Sequence, residues 1–145
     1  MTYDRILLPT DGSEGVETAG DHAGRIARRF DATVHVLSVV DTRNRFESPS
    51  VGVSTEAWLE AERDRAEEAV ASAAAVLPDV PTETEVVEGV PRTEILDAVE
   101  RVPADLVVMG THGRTGIDHY LIGSVAEKVV RRSPVPVMTV RLGAD

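Results

Sequence analysis

The feature that most constrains this chain is a regular alternation of short apolar runs with longer amphipathic stretches. Four runs are almost continuously apolar, which is typical of strands covered on both faces. A fifth run alternates polar and apolar residues and is predicted to be an edge strand. The four buried strands are predicted at Arg5 to Pro9, Thr33 to Val40, Asp105 to Gly110 and Val135 to Val140, and the edge strand at Thr82 to Val87.

Between the strands, apolar residues recur at helical spacing and predict four helices, the last of them over Gly123 to Arg132. The residues expected to face inward are Val16, Ala19, Ala23, Ile26, Ala27 and Phe30 in the first helix; Leu59, Ala66, Val70, Ala73 and Leu77 in the second; Ile95, Leu96, Val99 and Val102 in the third; and Val125, Val129 and Val130 in the fourth. Strict alternation with crossovers of this length favours parallel strands and right-handed connections. We therefore predict one α/β domain over residues 1–145, a doubly wound, open, five-stranded parallel sheet with helices on both faces.

Composition narrows the classes of function. The 145 residues include no Cys, which excludes a thiol nucleophile, an iron-sulfur cluster, a zinc ribbon and any disulfide. No apolar run approaches the roughly 18 to 20 residues that span a bilayer, so we expect a cytoplasmic protein with no membrane partner. A net charge of -10 argues against nucleic acid. Of the 15 basic residues only Lys128 is Lys, and this acidic, Arg-rich surface suits a high-salt cytosol.

The glycine-rich segment after the fourth strand is the sharpest motif. Its spacing is Gly-x2-Gly-x9-Gly-Ser, formed by Gly110, Gly113, Gly123 and Ser124. Glycines allow backbone to approach a ligand closely, and free N–H groups at the start of the fourth helix attract anions. Arg114 adds a planar donor for phosphate. Residues 110–132 carry a net charge of +2 in a chain of -10, which agrees with an anion site. The ordinary alternative is a long strand-to-helix loop with a glycine cap.

The end of the first strand contributes a second candidate, Asp11. If the first and fourth strands are neighbours where the winding reverses, Asp11 faces the glycine segment and can bind a ribose hydroxyl or a metal beside phosphate. The alternative, left open here, is that Asp11 or Ser13 caps the first helix. His22 and His35 lie inside predicted elements without metal-ligand spacing, and we interpret them as packed or surface residues.

Five blocks in this order resemble the universal stress protein family over essentially the whole chain: DRILLPTD (4–11), GVPRTEI (89–95), LVVMGTHG (106–113), GSV (123–125) and VPVMTV (135–140). In that family an intact glycine motif marks the ATP-binding branch. The resemblance implies ribose contacts from Pro9, Thr10 and Asp11, adenine at the backbone of Val39, and phosphates at Gly123, Ser124 and Val125. It further implies that Met109, Gly110, His112, Gly113 and Arg114 line the nucleotide.

The resemblance also implies ATP, with Mg or Mn, as ligand and a homodimer through the strand Val135 to Val140. Some relatives carry a hydroxyl residue where this chain has Ala126, which removes one phosphate hydrogen bond.

We predict a regulatory, stress-response nucleotide binder with no catalytic residues and no metal ligands of its own. The alternatives are a slow ATP hydrolase or an adenylating enzyme of related fold; for the latter, Asp11, Gly12 and Ser13 replace the expected Ser-Gly-Gly loop. A phosphoacceptor receiver domain is disfavoured because no Lys follows the fifth strand.

Overall fold

Five strands and four helices alternate along the chain in a computed structural model, which describes residues 3–12, 16–44, 55–111 and 123–141. The strands are β1 (Arg5–Pro9), β2 (Thr33–Asp41), β3 (Thr82–Gly89), β4 (Leu106–Gly110) and β5 (Val137–Val140), and the helices are α1 (Val16–Phe30), α2 (Thr55–Ala75), α3 (Pro91–Arg101) and α4 (Ser124–Arg132). A short 3-10 turn, Thr42–Asn44, follows β2.

All five strands are parallel and lie in the order β3-β2-β1-β4-β5. The chain winds from β1 outward to β3 and then crosses back to place β4 on the other side of β1. The winding direction therefore reverses between β1 and β4. This order confirms the predicted doubly wound parallel sheet, and it confirms that the run beginning at Thr82 is an edge strand.

The sheet is covered on both faces by separate hydrophobic cores. Ile6 and Leu8 of β1 pack on the face that α1 and α2 cover, whereas Leu7 packs on the face of α3 and α4. All three side chains are fully buried. Neighbouring residues of one strand thus enter opposite cores, which explains why the central strands are continuously apolar.

Two side chains predicted to face inward lie at the surface instead. Val130 is 46% exposed, because Ala126 and Val129 form the buried side of α4 and Val130 lies about 100° further around the helix. Phe30, the last residue of α1, is 37% exposed and contacts the ring of Tyr3 edge-on at 5.1 Å between centroids. Both helices lie where the sequence predicts them. The prediction made the buried side of each helix too wide.

The strand β5 begins two residues later than predicted. Val135 donates its N–H to the hydroxyl of Ser133 at 3.1 Å, forming a local turn, and Pro136 has no N–H to give to a neighbouring strand. The carbonyl of Pro136 still accepts a hydrogen bond from Val107 at 3.0 Å. None of the helices in the described ranges is both long and apolar enough to cross a bilayer.

Candidate functional site

The ends of β1 and β4 form the floor of the candidate site. The two strands pair in parallel, with Ile6 opposite Leu106 and Leu7 opposite Val107. Continued by three residues, this register brings Thr10 level with Gly110. The first and fourth strands are therefore neighbours at the reversal, which is the condition on which the predicted position of Asp11 depends. In open α/β sheets, ligands bind outside the carboxyl ends of strands at such a point.

The strands β2 and β3 rise beyond this floor and form a wall. The N–H of Thr10 donates to the carbonyl of Leu37 at 2.8 Å, and β2 then continues, still paired with β3, to Asp41 opposite Gly89. Four residues of strand extend the wall by about 13 Å. Val39, the residue expected to meet adenine, is half-buried in this wall and pairs with Val87.

The turn after β1 is held tightly against α2. The N–H of Gly12 donates to the hydroxyl oxygen of Thr10 at 3.2 Å, and Gly12 has a positive φ of 81°. A Cβ atom at Gly12 would lie 3.4 Å from the Cβ of Ala69. Asp11 is half-buried within this turn. Ser13, the other residue considered as a cap for α1, lies outside the described residues.

The N-terminus of α4 lies beside the end of β4. The N–H of Thr111 donates to Val140 at 3.1 Å, and the N–H of Gly123 donates to the carbonyl of Thr111. The helix then makes its first internal hydrogen bond from Glu127 to Gly123 at 2.9 Å. The preceding N–H groups of the first helical turn, those of Ser124 and its two successors, have no acceptor within the helix, and no side chain caps them. They and the helix dipole create a positive end suited to an anion.

The structure thus brings most of the predicted site residues to one edge of the sheet: Pro9, Thr10, Asp11, Val39, Met109, Gly110, Gly123, Ser124 and Val125. Three others, His112, Gly113 and Arg114, lie outside the described residues. Met109 differs from the rest because its side chain is 5% exposed and packs in the core beneath the floor. Its contribution to an open cleft is therefore confined to its backbone.

Two ion pairs at the top of the wall were not predicted from sequence. Arg43 donates to both carboxylate oxygens of Asp41, at 2.9 and 2.7 Å, and the hydrogen bond raises the pKa of the Arg43 guanidinium. Arg63 of α2 pairs with Glu88 of β3. The Asp-x-Arg spacing is the local signal for the first pair, whereas the second depends on how α2 packs.

The residues present fit a phosphorylated ligand better than a tightly bound metal. The fit rests on the glycines at both sides of the cleft and on the N–H groups at the start of α4 that have no acceptor within the helix. Across residues 3–12, 16–44, 55–111 and 123–141, no three His, Asp or Glu side chains come together in a group able to hold a metal ion.

A parallel sheet that reverses its winding and carries helices on both faces defines a doubly wound α/β protein. Residues 2–141 match the family model described as the universal stress protein family. The chain is 40% identical over 145 residues to universal stress protein MJ0531 of Methanocaldococcus jannaschii, a match that covers 96% of this chain and 82% of that protein. The chain belongs to the universal stress protein family.

Solved structures agree with this assignment. The universal stress protein UspA from Lactobacillus plantarum is similar with a TM-score of 0.84 and 28% identity, over 97% of this chain and 99% of that one. A universal stress protein crystallised in complex with cAMP is similar with a TM-score of 0.65 and 28% identity, over 99% of this chain and 100% of that one.

Proposed function

We propose that this protein binds an adenine nucleotide, ATP above all, in the cleft between the ends of β1 and β4. The observation that carries the proposal is the start of α4, where N–H groups without helical acceptors lie beside a floor that ends in Gly110. Such groups bind phosphate oxygens without requiring any side chain to move. The universal stress protein in complex with cAMP supports an adenine nucleotide as the class of ligand.

Each part of the nucleotide has its own candidate residues. Phosphates meet the N–H groups of Ser124 and Val125 beyond Gly123, the ribose hydroxyls meet Asp11, and adenine lies along the wall at Val39. Pro9 and Thr10 support the ribose side, and Met109 and Gly110 offer backbone at the floor. His112, Gly113 and Arg114 complete the set by the family resemblance, and Mg or Mn accompanies the triphosphate.

The role we propose is binding and regulation in a stress response, in the cytoplasm, by a single domain of residues 1–145. The sequence contains no P-loop of the form Gly-x4-Gly-Lys-Ser/Thr, and its one lysine, Lys128, lies within α4. Binding through backbone amides needs neither of these. The alternative is a slow ATP hydrolase. Steady turnover on the order of 1 per second that is lost in Asp11→Ala would establish this alternative.

We further propose that the protein is a homodimer through β5. This strand is an edge of the sheet, and Met138 in it is 37% exposed. An apolar edge strand with unpaired backbone groups is covered when it pairs with a second copy across a two-fold axis. The segment 134–140 carries no charge, so nothing in it opposes such pairing.

We also propose that the acidic surface of the protein is adapted to high salt. With 25 acidic residues and a net charge of -10, the folded chain repels itself in dilute buffer, and dissolved ions screen this repulsion. We expect the midpoint of thermal unfolding to rise between low and molar KCl. A midpoint that is independent of salt, or that falls, would contradict this part of the proposal.

Calorimetric titration in molar KCl tests the proposed ligand. We expect heat and thermal stabilisation with ATP and markedly weaker effects with GTP. Asp11→Asn is expected to weaken ATP binding about tenfold, because it removes a charged hydrogen-bond acceptor. Asp97→Asn is the matched control, since this exposed carboxylate lies on α3 away from the cleft. Absence of heat at millimolar ATP would contradict the proposal.

A further inference from the structure

A polar cluster lies at the amino ends of the strands, at the opposite end of the sheet from the cleft. We call it the His35 cluster; its members are Arg5, His35, Glu83, Glu85 and Arg101. His35 is only 8% exposed although it is ionisable. It belongs to β2 and stands directly opposite Glu83 of the edge strand β3. A buried imidazole at this place requires partners for both ring nitrogens.

Both ring nitrogens of His35 face carboxylates. Nδ1 lies 3.4 Å from Oε1 of Glu83, and Nε2 lies 2.8 Å from Oε1 of Glu85. Each carboxylate also receives an arginine from a different element. Arg5 of β1 donates to Glu83 at 3.1 Å, and Arg101 of α3 donates to Glu85 at 2.9 and 2.8 Å. The cluster thus connects the edge strand to β1, β2 and α3.

The carboxylates keep their charge around neutral pH. Hydrogen bonds from His35 and Arg5 lower the pKa of Glu83. Burial acts to raise the pKa of Glu85, but the hydrogen bonds from His35 and Arg101 outweigh it, so this pKa is also lowered. Ionised carboxylates only accept hydrogen bonds. Neither glutamate can therefore supply a proton to a bare ring nitrogen of His35.

The number of N–H groups on the His35 ring decides how many of its two contacts are hydrogen bonds. An imidazolium carries two N–H groups and can donate to both glutamates, whereas a neutral imidazole carries one and turns a lone pair toward the other carboxylate. The longer of the two contacts, that of Nδ1 with Glu83, is the one expected to open first. Glu83 belongs to β3, which pairs with only one neighbouring strand, β2.

We infer that His35 is a proton-responsive latch on the edge strand: its doubly protonated ring ties β3 to β2, and loss of one proton opens its contact with Glu83, which keeps its hydrogen bond from Arg5, and loosens β3. The charged groups that face it are Glu83 and Glu85 from β3 and, through them, Arg5 from β1 and Arg101 from α3. The tie is present while both ring nitrogens of His35 carry protons and is absent when one nitrogen is bare, and it is also lost in acid once the glutamates take up protons.

Two measurements at constant ionic strength between pH 5.5 and 8.5 test the latch. Imidazole ¹⁵N NMR of the wild-type chain is expected to show two ring N–H groups on His35 at the acidic end and one at the alkaline end. Hydrogen exchange, corrected for intrinsic rates, is expected to show that the protection of residues 82–89 falls about tenfold relative to that of β1 between the acidic and the alkaline end of the range.

Two variants distinguish the effect of His35 from that of other ionisable groups. His35→Gln is expected to lose the pH dependence of protection in β3, and His22→Gln, on α1, is expected to retain it. If His35→Gln does not fold, Glu83→Gln tests the same contact from the other side and should also remove the dependence. One unchanging protonation state of the wild-type ring across the range, or full pH dependence in a folded His35→Gln, would overturn the inference.

Discussion

The backbone N–H of Thr10 donates a hydrogen bond to the carbonyl of Leu37 at 2.8 Å, directly beyond the point where the paired register of β1 and β2 ends at Pro9 and Leu37. Beyond it the chain of β1 turns away, while β2 continues to Asp41. The step between the two strands creates a floor and a wall at the point where the winding reverses. In the proposed complex, the nucleotide base lies against this wall and its phosphates reach the start of α4.

Substitutions at Gly12 test the backbone conformation of the turn that follows β1. Its φ of 81° is strained for residues with a side chain, so Gly12→Ala is expected to lower the free energy of unfolding by about 1 to 2 kcal/mol. Gly12→Asn is the matched control, because Asn tolerates this conformation and should cost less. Urea unfolding in molar KCl measures both. Equal stability of Gly12→Ala and the wild type would contradict the assigned conformation.

A negative charge at Ser124 is expected to change ligand binding and helix stability in opposite directions. Ser124→Asp places a negative charge in the first turn of α4, which should stabilise the helix by about 0.3 to 1 kcal/mol. The same charge should repel phosphates and weaken ATP binding at least tenfold, as measured by calorimetry. Ser124→Ala is the neutral control, expected to change affinity little because backbone N–H groups do the binding. Undiminished affinity in Ser124→Asp would place the phosphates elsewhere.

The edge strand β5 is expected to form the dimer. Met138→Lys adds a charge at an exposed position of this edge, and sedimentation should then find a monomer where the unchanged chain is a dimer. Thr84→Lys introduces the same residue on the opposite edge strand, β3, where Thr84 is exposed, and should leave the dimer intact. A wild-type chain that is monomeric at micromolar concentration would contradict the proposed assembly.

The ion pair of Arg28 with Asp79 gives a pH-dependent contribution to stability. Arg28 donates to both oxygens of Asp79, at 2.8 and 3.0 Å, and this hydrogen bonding lowers the pKa of Asp79. Because the folded-state pKa lies below the unfolded one, the stabilisation is present above pH of about 3.9 and is lost as pH falls through the lowered value.

Asp79→Asn should therefore reduce the urea midpoint at pH 7 and leave it near that of the wild type in strong acid. Asp97→Asn, which removes an exposed carboxylate of α3, should match the wild type at both pH values. A deficit for Asp79→Asn of the same size at both pH values would mean that the pair does not act through its charge.

The strands and the parallel, doubly wound sheet were predictable because hydrophobic periodicity and alternation of elements are local properties. The run Arg5 to Pro9 forms β1 with the predicted bounds, and the alternating run at Thr82 lies at an edge. Periodicity gives the side of a helix that is buried but not its width, so Val130 was placed inside although it lies at the surface.

Contacts between distant residues could not be predicted in the same way. The partners of His35 depend on the register between β2 and β3, and Arg63 meets Glu88 because α2 packs across those strands. In the candidate site, Asp11 and Gly110 could be found from the sequence, since Asp11 lies two residues after one buried strand and Gly110 ends another. The wall formed by β2 carried none, because the lengths by which neighbouring strands differ are set by packing and pairing.

A crystal structure of the protein grown with ATP and magnesium tests the central claim most directly. We predict phosphate oxygens within hydrogen-bonding distance of the N–H groups of Ser124 and Val125, with the ribose beside Asp11 and adenine against Val39. A cleft that holds no nucleotide at millimolar ATP, or a nucleotide bound at another surface, would contradict the account.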